Sequence, residues 1–276
     1  MKSITFAIAV NDEQVCRANA LASPVFHNGH LHEIMIRRNF ASASLAYNDA
    51  LSQTRNDLMV FMHQDVYLPE HWDEKLLHVV NSLETAGRRW GVLGCFGISL
   101  QGKPAGHIFS NGLNLELGGP DPIVPVQSLD EVVLVLRKSS GLRFDAKLPY
   151  FYFYGTDICL EAKRNGMENY AMSNFCVHNS IPIRRLPAMF WQCAEYLRVK
   201  WRQELPVKTC CVTLAPLRRQ MWLTRIRYEQ AFFRARAHTN KPIRMRDPSV
   251  LIKTKAGRYE EQRHDRSVVG SKFKNS

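Results

Sequence analysis

A short apolar segment that ends in polar residues limits the fold of this chain more than any other feature. Leu58 to Met62 are all hydrophobic, and His63, Gln64 and Asp65 follow directly. Such a run can cross a buried parallel sheet, so the polar residues are expected at its carboxyl edge, where open α/β sheets bind ligands. The pattern predicts a ligand site in which Asp65 binds a metal ion. The alternative is a strand followed by an ordinary turn.

The neighbouring segments alternate between strand and helix patterns. Short apolar runs predict strands, and apolar residues at helical spacing predict amphipathic helices, with Ser42 as an N-cap and Gly166 as a helix end. The predicted strands are Ile4–Val10, Glu33–Ile36, Leu58–Met62, Gly91–Phe96 and Leu129–Lys138, and the predicted helices are Ser42–Thr54, His71–Glu84, Asp157–Lys163, Leu186–Trp201 and Leu217–Ala237. Gln101–Pro125 is rich in Gly and Pro and predicts a loop or irregular hairpin near a site. This alternation predicts an α/β fold with a Rossmann-like sheet.

Positive charge is concentrated in the carboxyl-terminal part of the chain. The formal net charge is +12, yet the residues from Ile181 onward contain 22 Lys and Arg against 7 Asp and Glu, whereas the first 180 contain 15 against 18. Two regions with different electrostatic roles are implied. We predict a folded domain at 1–180, a basic helical extension at 181–245 and a polar tail at 246–276. The basic segment could bind nucleic acid, an anionic membrane surface or a pyrophosphate, or it could be a solvated helical surface.

The sequence also limits where the protein works. Its apolar runs are far shorter than the roughly 18 to 20 residues that span a bilayer, and the amino terminus lacks a signal-peptide pattern. We therefore expect a cytoplasmic protein. The seven cysteines include no C-x-x-C pair, so we expect reduced, mostly buried thiols.

Five motifs occur in a particular order and spacing. They are AYNDAL (Ala46–Leu51), VFMHQDVYLP (Val60–Pro69), VQSLDEVVLVLRK (Val126–Lys138), FYFYGTDICLEAKRNG (Phe151–Gly166) and VHNS (Val177–Ser180). Together they resemble the family 2 glycosyltransferases of GT-A fold, in particular a glycosyltransferase-like branch with an H-Q-D-V motif. The resemblance covers about Ile4 to Ser180. It implies an α/β GT-A fold with a Rossmann-like, mostly parallel central sheet, followed here by a basic α-helical carboxyl-terminal segment.

The resemblance implies transfer of a sugar from a nucleotide diphosphate donor to a hydroxyl acceptor, generally with inversion at the anomeric carbon. A Mg2+ or Mn2+ ion would bridge the phosphates as a Lewis acid. Asp65 matches the last acid of the family's D-x-D signature, and His178 matches a histidine that often completes the metal shell. His63 replaces the first acid, so the metal is either held weakly or absent, and a His-rich shell would favour Mn2+.

The resemblance also implies a carboxylate that takes the proton of the acceptor hydroxyl. Asp157 is the first choice, although many relatives carry two acids around this turn and Gly155 takes the place of the earlier one. Asp157 could instead orient the acceptor, which would leave Asp130 or a neighbour as the base. The alternatives are helix capping by Asp157 and a buried hydrogen-bonding role for Asp130.

Donor recognition is expected at the edge of the first strand and the helix after it. Asn11, Asn48 and Gln64 are the predicted donor contacts, and caps of loops and helices are the alternative for Asn11 and Asn48. The predicted sugar-stacking residues are Trp72, Tyr152 and Tyr154, for which a place in the core is the alternative.

The expected partners are a nucleotide-sugar donor and a glycan or lipid-linked acceptor, as in polysaccharide biosynthesis. Nucleic acid is not expected, because the basic helices lack a recognised reading motif. The segment 217–237 suits a peripheral position at an anionic inner membrane face, with Arg218, Arg219, Arg225, Arg227, Arg234 and Arg236 around Met221, Trp222, Leu223, Ile226 and Phe233. A catalytically impaired binding protein on the same scaffold is the alternative function.

Overall fold

A computed structural model describes residues 3–27, 29, 32–119, 121–181, 185–235 and 244–252, without the side chains of 231–235. Its helices are α1 (Glu13–Ala18), α2 (Ala43–Gln53), α3 (Trp72–Thr85), α4 (Tyr154–Arg164), α5 (Ala188–Lys200) and α6 (Arg218–Ala235). Its strands are β1 (Ile4–Val10), β2 (Glu33–Arg38), β3 (Leu58–His63), β4 (Val66–Tyr67), β5 (Trp90–Gly94), β6 (Phe96–Ser99), β7 (Pro104–Ser110), β8 (Leu115–Gly118), β9 (Ile123–Leu129), β10 (Val133–Arg137), β11 (Glu168–Met172), β12 (Cys176–His178), β13 (Val207–Lys208) and β14 (Thr213–Leu214).

One continuous sheet carries the fold, with the described strands in the order β2-β1-β3-β10-β5-β11-β9-β6-β7-β12-β4 and with β8 beside β7. In its first six strands, β2, β1, β3, β5 and β11 run in one direction and β10 runs against them. The other half is mainly antiparallel, apart from the parallel pair β7 and β12. The Rossmann-like, mostly parallel central sheet is therefore confirmed, with an antiparallel half added to it.

Burial on both faces of the sheet explains the apolar runs. In β3, Met59 and Phe61 join a core cluster on one face, together with residues of α2, α4 and α5. Leu58, Val60 and Met62 join a second cluster on the other face, together with residues of α3. Because helices cover both faces, successive residues are all apolar rather than alternately polar. The strand predicted at Leu58–Met62 is confirmed as β3, and its burial on both faces explains its apolar sequence.

Most boundaries agree with the sequence pattern. β1 has the expected ends, and α2 is capped by Ser42, whose side chain accepts from the Leu45 N–H at 3.3 Å. The predicted strand Gly91–Phe96 is present as β5, but its carboxyl end is wrong, because Cys95 separates β5 from β6. The Gly-rich segment does form a hairpin, since β7 and β8 pair within it.

Two boundaries near the predicted site are wrong. Leu129 ends β9 and β10 begins only at Val133, so Asp130 lies in the turn between two strands rather than near a strand start. The helix predicted from Asp157 begins three residues earlier, at Tyr154. Asp157 therefore lies inside the first turn of α4 rather than at its cap.

The basic extension is packed against the same body. α5 contributes five buried residues to the cluster that contains α2 and α4, whereas most residues of α6 before residue 231 are exposed apart from Met221. Residues 253–276 of the predicted tail lie outside the described residues, but Leu251 packs against Tyr67 and Phe175. All seven cysteines are free thiols, five of them buried. No helix among the described residues is both long and apolar enough to cross a membrane.

We predict that Gly106→Ala destabilises the protein strongly. Gly106 has φ +96°, and a Cβ atom there would lie 2.1 Å from the carbonyl oxygen of Cys95. The expected loss is about 3 kcal/mol of unfolding free energy, measured by urea denaturation. Gly119→Ala is the control, because its Cβ would meet no atom within 4 Å. Similar losses in both variants would contradict the prediction.

Candidate metal centre at the sheet edge

Strand pairing brings three distant side chains together. β3 ends at His63, and Asp65 immediately precedes β4. β4 pairs antiparallel with β12 so that His178 lies opposite Val66, and the Asn179 N–H donates to the Asp65 carbonyl at 2.8 Å. The register of this short pair therefore sets Asp65 beside His178, although more than a hundred residues separate them in the chain.

His63, Asp65 and His178 form the group that could hold a metal ion. One ligand atom from each lies within 4.8 Å of the others. His178 Nε2 is 3.4 Å from Asp65 Oδ1, and their side chains are 20% and 14% exposed. Carboxylate and imidazole are both ligand types that divalent metal ions use in proteins. The sequence prediction brought these three residues together, and the structure does so as well.

Asp65 and His178 stabilise each other's charges, whereas His178 opposes a charge on His63. Burial alone would raise the pKa of Asp65, but the adjacent His178, His63 and Arg244 outweigh it and hold the pKa below its usual range. Burial would lower the pKa of His178, but Asp65 raises it overall. The pKa of His63 is lowered by burial and by His178. Asp65 is therefore ionised and ready to bind a cation.

Arg244 is a component of the site that sequence analysis missed. Its Nη2 lies 3.4 Å from Asp65 Oδ2, and its Nε donates to the Asn179 carbonyl at 3.0 Å. The Asn179 side chain is fixed in turn by the backbone of Met245. No local motif marks Arg244 among the many basic residues of the extension, because only tertiary packing returns it to the sheet edge.

Two of the predicted donor contacts bind each other. Gln64 Oε1 accepts from the N–H groups of Asn11 and Asp12, each at 3.0 Å, and Gln64 Nε2 donates to Asn11 Oδ1 at 2.6 Å. These bonds join the ends of β1 and β3 at the carboxyl edge of the sheet. Asn11 is exposed there and Gln64 partly exposed, so this edge remains accessible to a ligand.

Asn48 has a structural partner instead. Its Nδ2 donates to the Phe144 carbonyl at 2.7 Å, and its Oδ1 accepts from the Phe144 N–H at 3.0 Å. Each end of the amide therefore already makes one hydrogen bond within the protein, as the alternative of a structural role requires, and the nucleotide contact stays a prediction. Of the predicted stacking residues, Trp72 and Tyr154 are 1% and 2% exposed. This burial agrees with the alternative, in which both belong to the core.

Asp157 is also engaged within the protein. Lys200 Nζ lies 2.7 and 2.9 Å from its two carboxylate oxygens, and Trp201 Nε1 donates to Oδ1 at 2.6 Å. The side chain is only 3% exposed. Burial raises its pKa, and Lys200 and Trp201 partly offset this effect. These contacts argue for a structural role, in which Asp157 joins α4 to α5, and against contact with an acceptor.

The turn between β9 and β10 presents two acids. Asp130 Oδ1 accepts from the Val132 N–H at 3.1 Å, and its charge acts on both His63 and His178. Glu131 Oε1 accepts from the Gly155 N–H at 3.3 Å. Burial, followed by the charge of Asp130, raises the pKa of Glu131 to about 8. Sequence analysis named Asp130 but not Glu131, although the two acids are adjacent in the motif LDEVV.

Comparison with known proteins gives a family match. The sequence model of a family described as "Glycosyltransferase like family" matches residues 5–185. A curated protein of Fuscovulum blasticum, "ATP synthase subunits region ORF 6", is 29% identical over 140 residues, which is 48% of this chain and 55% of that protein. The chain thus matches only about half the length of this relative.

Several solved structures share parts of the fold at low identity. A197 from STIV has a TM-score of 0.40 and 12% identity over 63% of this chain and 83% of that one. S. aureus TarS 1-349 has a TM-score of 0.44 and 12% identity over 72% and 65%, respectively. GalNAc-T7 with UDP, GalNAc and Mn2+ has a TM-score of 0.44 and 8% identity over 75% and 52%.

We predict that Asp157→Asn lowers the free energy of unfolding by about 1–3 kcal/mol, because it removes the charge that faces the ammonium group of Lys200. Urea denaturation near neutral pH measures this loss. Asp121→Asn is the matched control at an exposed position, with an expected change within about 0.5 kcal/mol. Equal stability of the two variants would show that the contact between Asp157 and Lys200 contributes nothing.

Proposed function

Because the chain belongs to the glycosyltransferase-like family whose sequence model matches residues 5–185, we propose that it transfers a sugar from a nucleoside diphosphate donor to a hydroxyl group. The observation that carries this proposal is the convergence of His63, Asp65 and His178 within 4.8 Å at the carboxyl edge of the sheet. A transferase of this kind must stabilise the negative charge that develops on the departing diphosphate. A divalent cation held by these three residues at the sheet edge would meet that requirement.

The three residues would hold a divalent ion, which when bound supplies Lewis-acid stabilisation of the diphosphate. Their two imidazoles and single carboxylate support Mn2+ over Mg2+. Asp65 contributes the only negative charge among them, so it matters most for cation binding. Arg244 lies on the same carboxylate. We assign to its guanidinium a direct contact with a phosphate oxygen, for which its planar donors are suited.

The donor nucleoside is assigned to the edge beside Asn11. Gln64 fixes the backbone at the end of β1 through two hydrogen bonds, and so it orients the exposed Asn11 side chain. An amide at this position offers one donor and one acceptor to a base or ribose. The transfer is proposed to invert the anomeric carbon and to use a glycan or lipid-linked acceptor, as polysaccharide biosynthesis requires.

The outward face of α6 supports an anionic membrane surface as a further partner. Met221 is buried against the body, whereas Trp222 and Leu223 are 62% and 43% exposed. Arg219 and Arg227 are exposed on the same side of the helix. Apolar side chains flanked by arginines suit the boundary between acyl chains and anionic headgroups. The side chains of Phe233 and Arg234, and all of Arg236, lie outside the described residues. This docking would place the protein at the cytoplasmic face of a membrane.

We predict that Asp65→Ala weakens Mn2+ binding by at least about 10-fold and abolishes metal-dependent binding of the donor, because the only carboxylate of the cluster is lost. Isothermal titration calorimetry with Mn2+ measures the first effect. Thermal shift with UDP-, GDP- and dTDP-sugars, with and without Mn2+, measures the second.

His71→Ala is the matched control, because the His71 side chain is 57% exposed on the surface. It should bind Mn2+ as the unmodified protein does. Release of nucleoside diphosphate from the same donors tests transfer itself. If the unmodified protein binds Mn2+ and a donor but releases no nucleotide, the catalytically impaired binding protein is the correct function. Absence of all three signals would exclude both functions.

We predict that membrane docking depends on α6. Arg219→Gln should weaken binding to vesicles of phosphatidylcholine and phosphatidylglycerol about fivefold, because each basic residue near an anionic surface contributes about 1 kcal/mol. Trp222→Ala should weaken it further through lost apolar contact. Arg88→Gln is the control, since its side chain is 57% exposed and pairs with Glu168 of β11 rather than belonging to α6. Flotation that is independent of phosphatidylglycerol and of both α6 substitutions would contradict the proposal.

A further inference from the structure

The residues assigned so far do not meet one chemical requirement of the proposed transfer. An acceptor hydroxyl must lose its proton as it attacks the sugar, and a carboxylate is the usual recipient. The family pattern places an acid where this chain has Gly155, and Asp157 is occupied by Lys200 and Trp201. A different carboxylate must therefore serve, if the transferase function proposed above is correct.

The space above Gly155 is already filled by another acidic side chain. A Cβ atom at position 155 would lie 2.8 Å from the carbonyl oxygen of Leu129 and 3.4 Å from both Cγ and Oε1 of Glu131. An aspartate at position 155 would therefore need its neighbours to move. Glu131 instead reaches the start of α4, where its Oε1 accepts from the Gly155 N–H at 3.3 Å. The glycine thus provides room for a carboxylate that comes from the β9–β10 turn.

This carboxylate belongs to a residue that adjoins the metal cluster. The Tyr154 hydroxyl donates to the Glu131 carbonyl at 3.2 Å and is hydrogen-bonded to His63 Nε2 at 2.9 Å. One phenol oxygen therefore links the backbone of Glu131 to a predicted metal ligand. The turn that carries Glu131 and the start of α4 therefore lie next to the cluster, separated from it by the Tyr154 side chain.

The other acids near the site have competing partners. Asp65 is paired with His178 and Arg244, and Asp157 is paired with Lys200. Asp130 accepts the Val132 N–H, and its charge acts on both His63 and His178. Glu131 has no ion pair with Lys or Arg within the described part of the chain, and it is partly exposed. Among these acids, Glu131 is therefore the one that reaches the start of α4 without a basic partner.

We propose that Glu131 is the general base of the transfer reaction. Its carboxylate accepts the proton of the acceptor hydroxyl as the hydroxyl oxygen bonds to the anomeric carbon of the sugar. The bond between that carbon and the diphosphate oxygen breaks, and the diphosphate leaves with the electron pair. The proton remains on Glu131 until solvent removes it.

The surroundings of Glu131 suit such a role. Burial and Asp130 raise its pKa to about 8, while the N–H groups of Gly155 and Phe153 partly oppose this shift. The other titratable groups that interact with its charge are Tyr47, Tyr154, Cys159, Cys193, Cys210 and Cys211. All are neutral near pH 7 because their own pKa values are raised. A carboxylate with a raised pKa is a stronger base, so turnover should increase as the pH rises through about 8.

The test separates a base from a helix cap. Glu131→Gln keeps an oxygen that can accept from Gly155, but it cannot take a proton. We expect the kcat for release of nucleoside diphosphate, with Mn2+ and the donor found by the panel above, to fall at least about 100-fold. Mn2+ and donor binding should stay within about twofold of the unmodified protein. Glu131→Asp should keep part of the activity and the rising pH profile, whereas Glu131→Gln should lose that profile.

A second measurement needs no substrate. Because the folded pKa of Glu131 lies above that of an unfolded glutamate, ionisation costs stability as the pH rises from about 4.5 to about 8. The melting temperature of Glu131→Gln relative to the unmodified protein should therefore be higher at pH 8 than at pH 5. An equal difference at both pH values would mean that Glu131 ionises normally and would contradict the basicity assigned to it.

The outcomes distinguish this proposal from the proposed function. If the unmodified protein releases nucleotide and Glu131→Gln retains its kcat and pH profile, Glu131 only caps α4 and the base assignment is overturned while the transferase stands. If the unmodified protein neither binds a donor with Mn2+ nor releases nucleotide, the transferase proposal fails and the base assignment fails with it. Loss of kcat and of the pH profile with binding retained supports both.

Discussion

The antiparallel pairing of β4 with β12 is the contact on which the candidate site depends. Only two residue pairs define it, yet it sets His178 opposite Val66 and so places an imidazole beside Asp65. The Asn179 side chain fixes the far side of this pair and receives the returning segment that carries Arg244. A slip of one residue in the pairing would turn His178 to the opposite face of the sheet and separate the ligands.

The excess positive charge of the carboxyl-terminal region has more than one function. Lys200 extends from α5 to Asp145 and Asp157, where it compensates two acids from earlier in the chain. Arg244 returns to the sheet edge and faces Asp65. The arginines of α6 whose side chains are described, Arg218, Arg219, Arg225 and Arg227, remain at the surface instead. Part of the charge therefore holds the extension onto the body, part enters the site, and part is available to an anionic partner.

The carboxylate that we propose as the base, Glu131, is brought to position 155 by the tertiary structure and not by a sequence motif. Gly155 lies where the family pattern has an acid. The sequence at this position, taken alone, would indicate a loss of catalysis. The absence of a side chain there admits Glu131 from a turn that lies more than twenty residues earlier in the chain. That Glu131 can take the place of an acid at position 155 is apparent only from the tertiary structure, in which the β9–β10 turn lies beside the start of α4.

The sequence by itself determined the helices other than α1, the strands β1, β2, β3, β5 and β10 to within a few residues, and the sheet edge at which the site lies, because apolar periodicity reports burial directly. The uninterrupted apolar run before His63 requires a strand covered on both faces, and this requirement places His63, Gln64 and Asp65 at the carboxyl edge. The family motifs added His178. Tertiary structure alone decided the partners of the polar side chains. Asp157 and Asn48 have the residue types of site groups, but Lys200 and Phe144 engage them. Arg244 carries no local signal and yet lies beside Asp65, and the sequence indicated Glu131 only as an unnamed neighbour of Asp130. Hydrogen bonds and charge pairs form between residues distant in the chain, and local pattern contains no information about which of them meet.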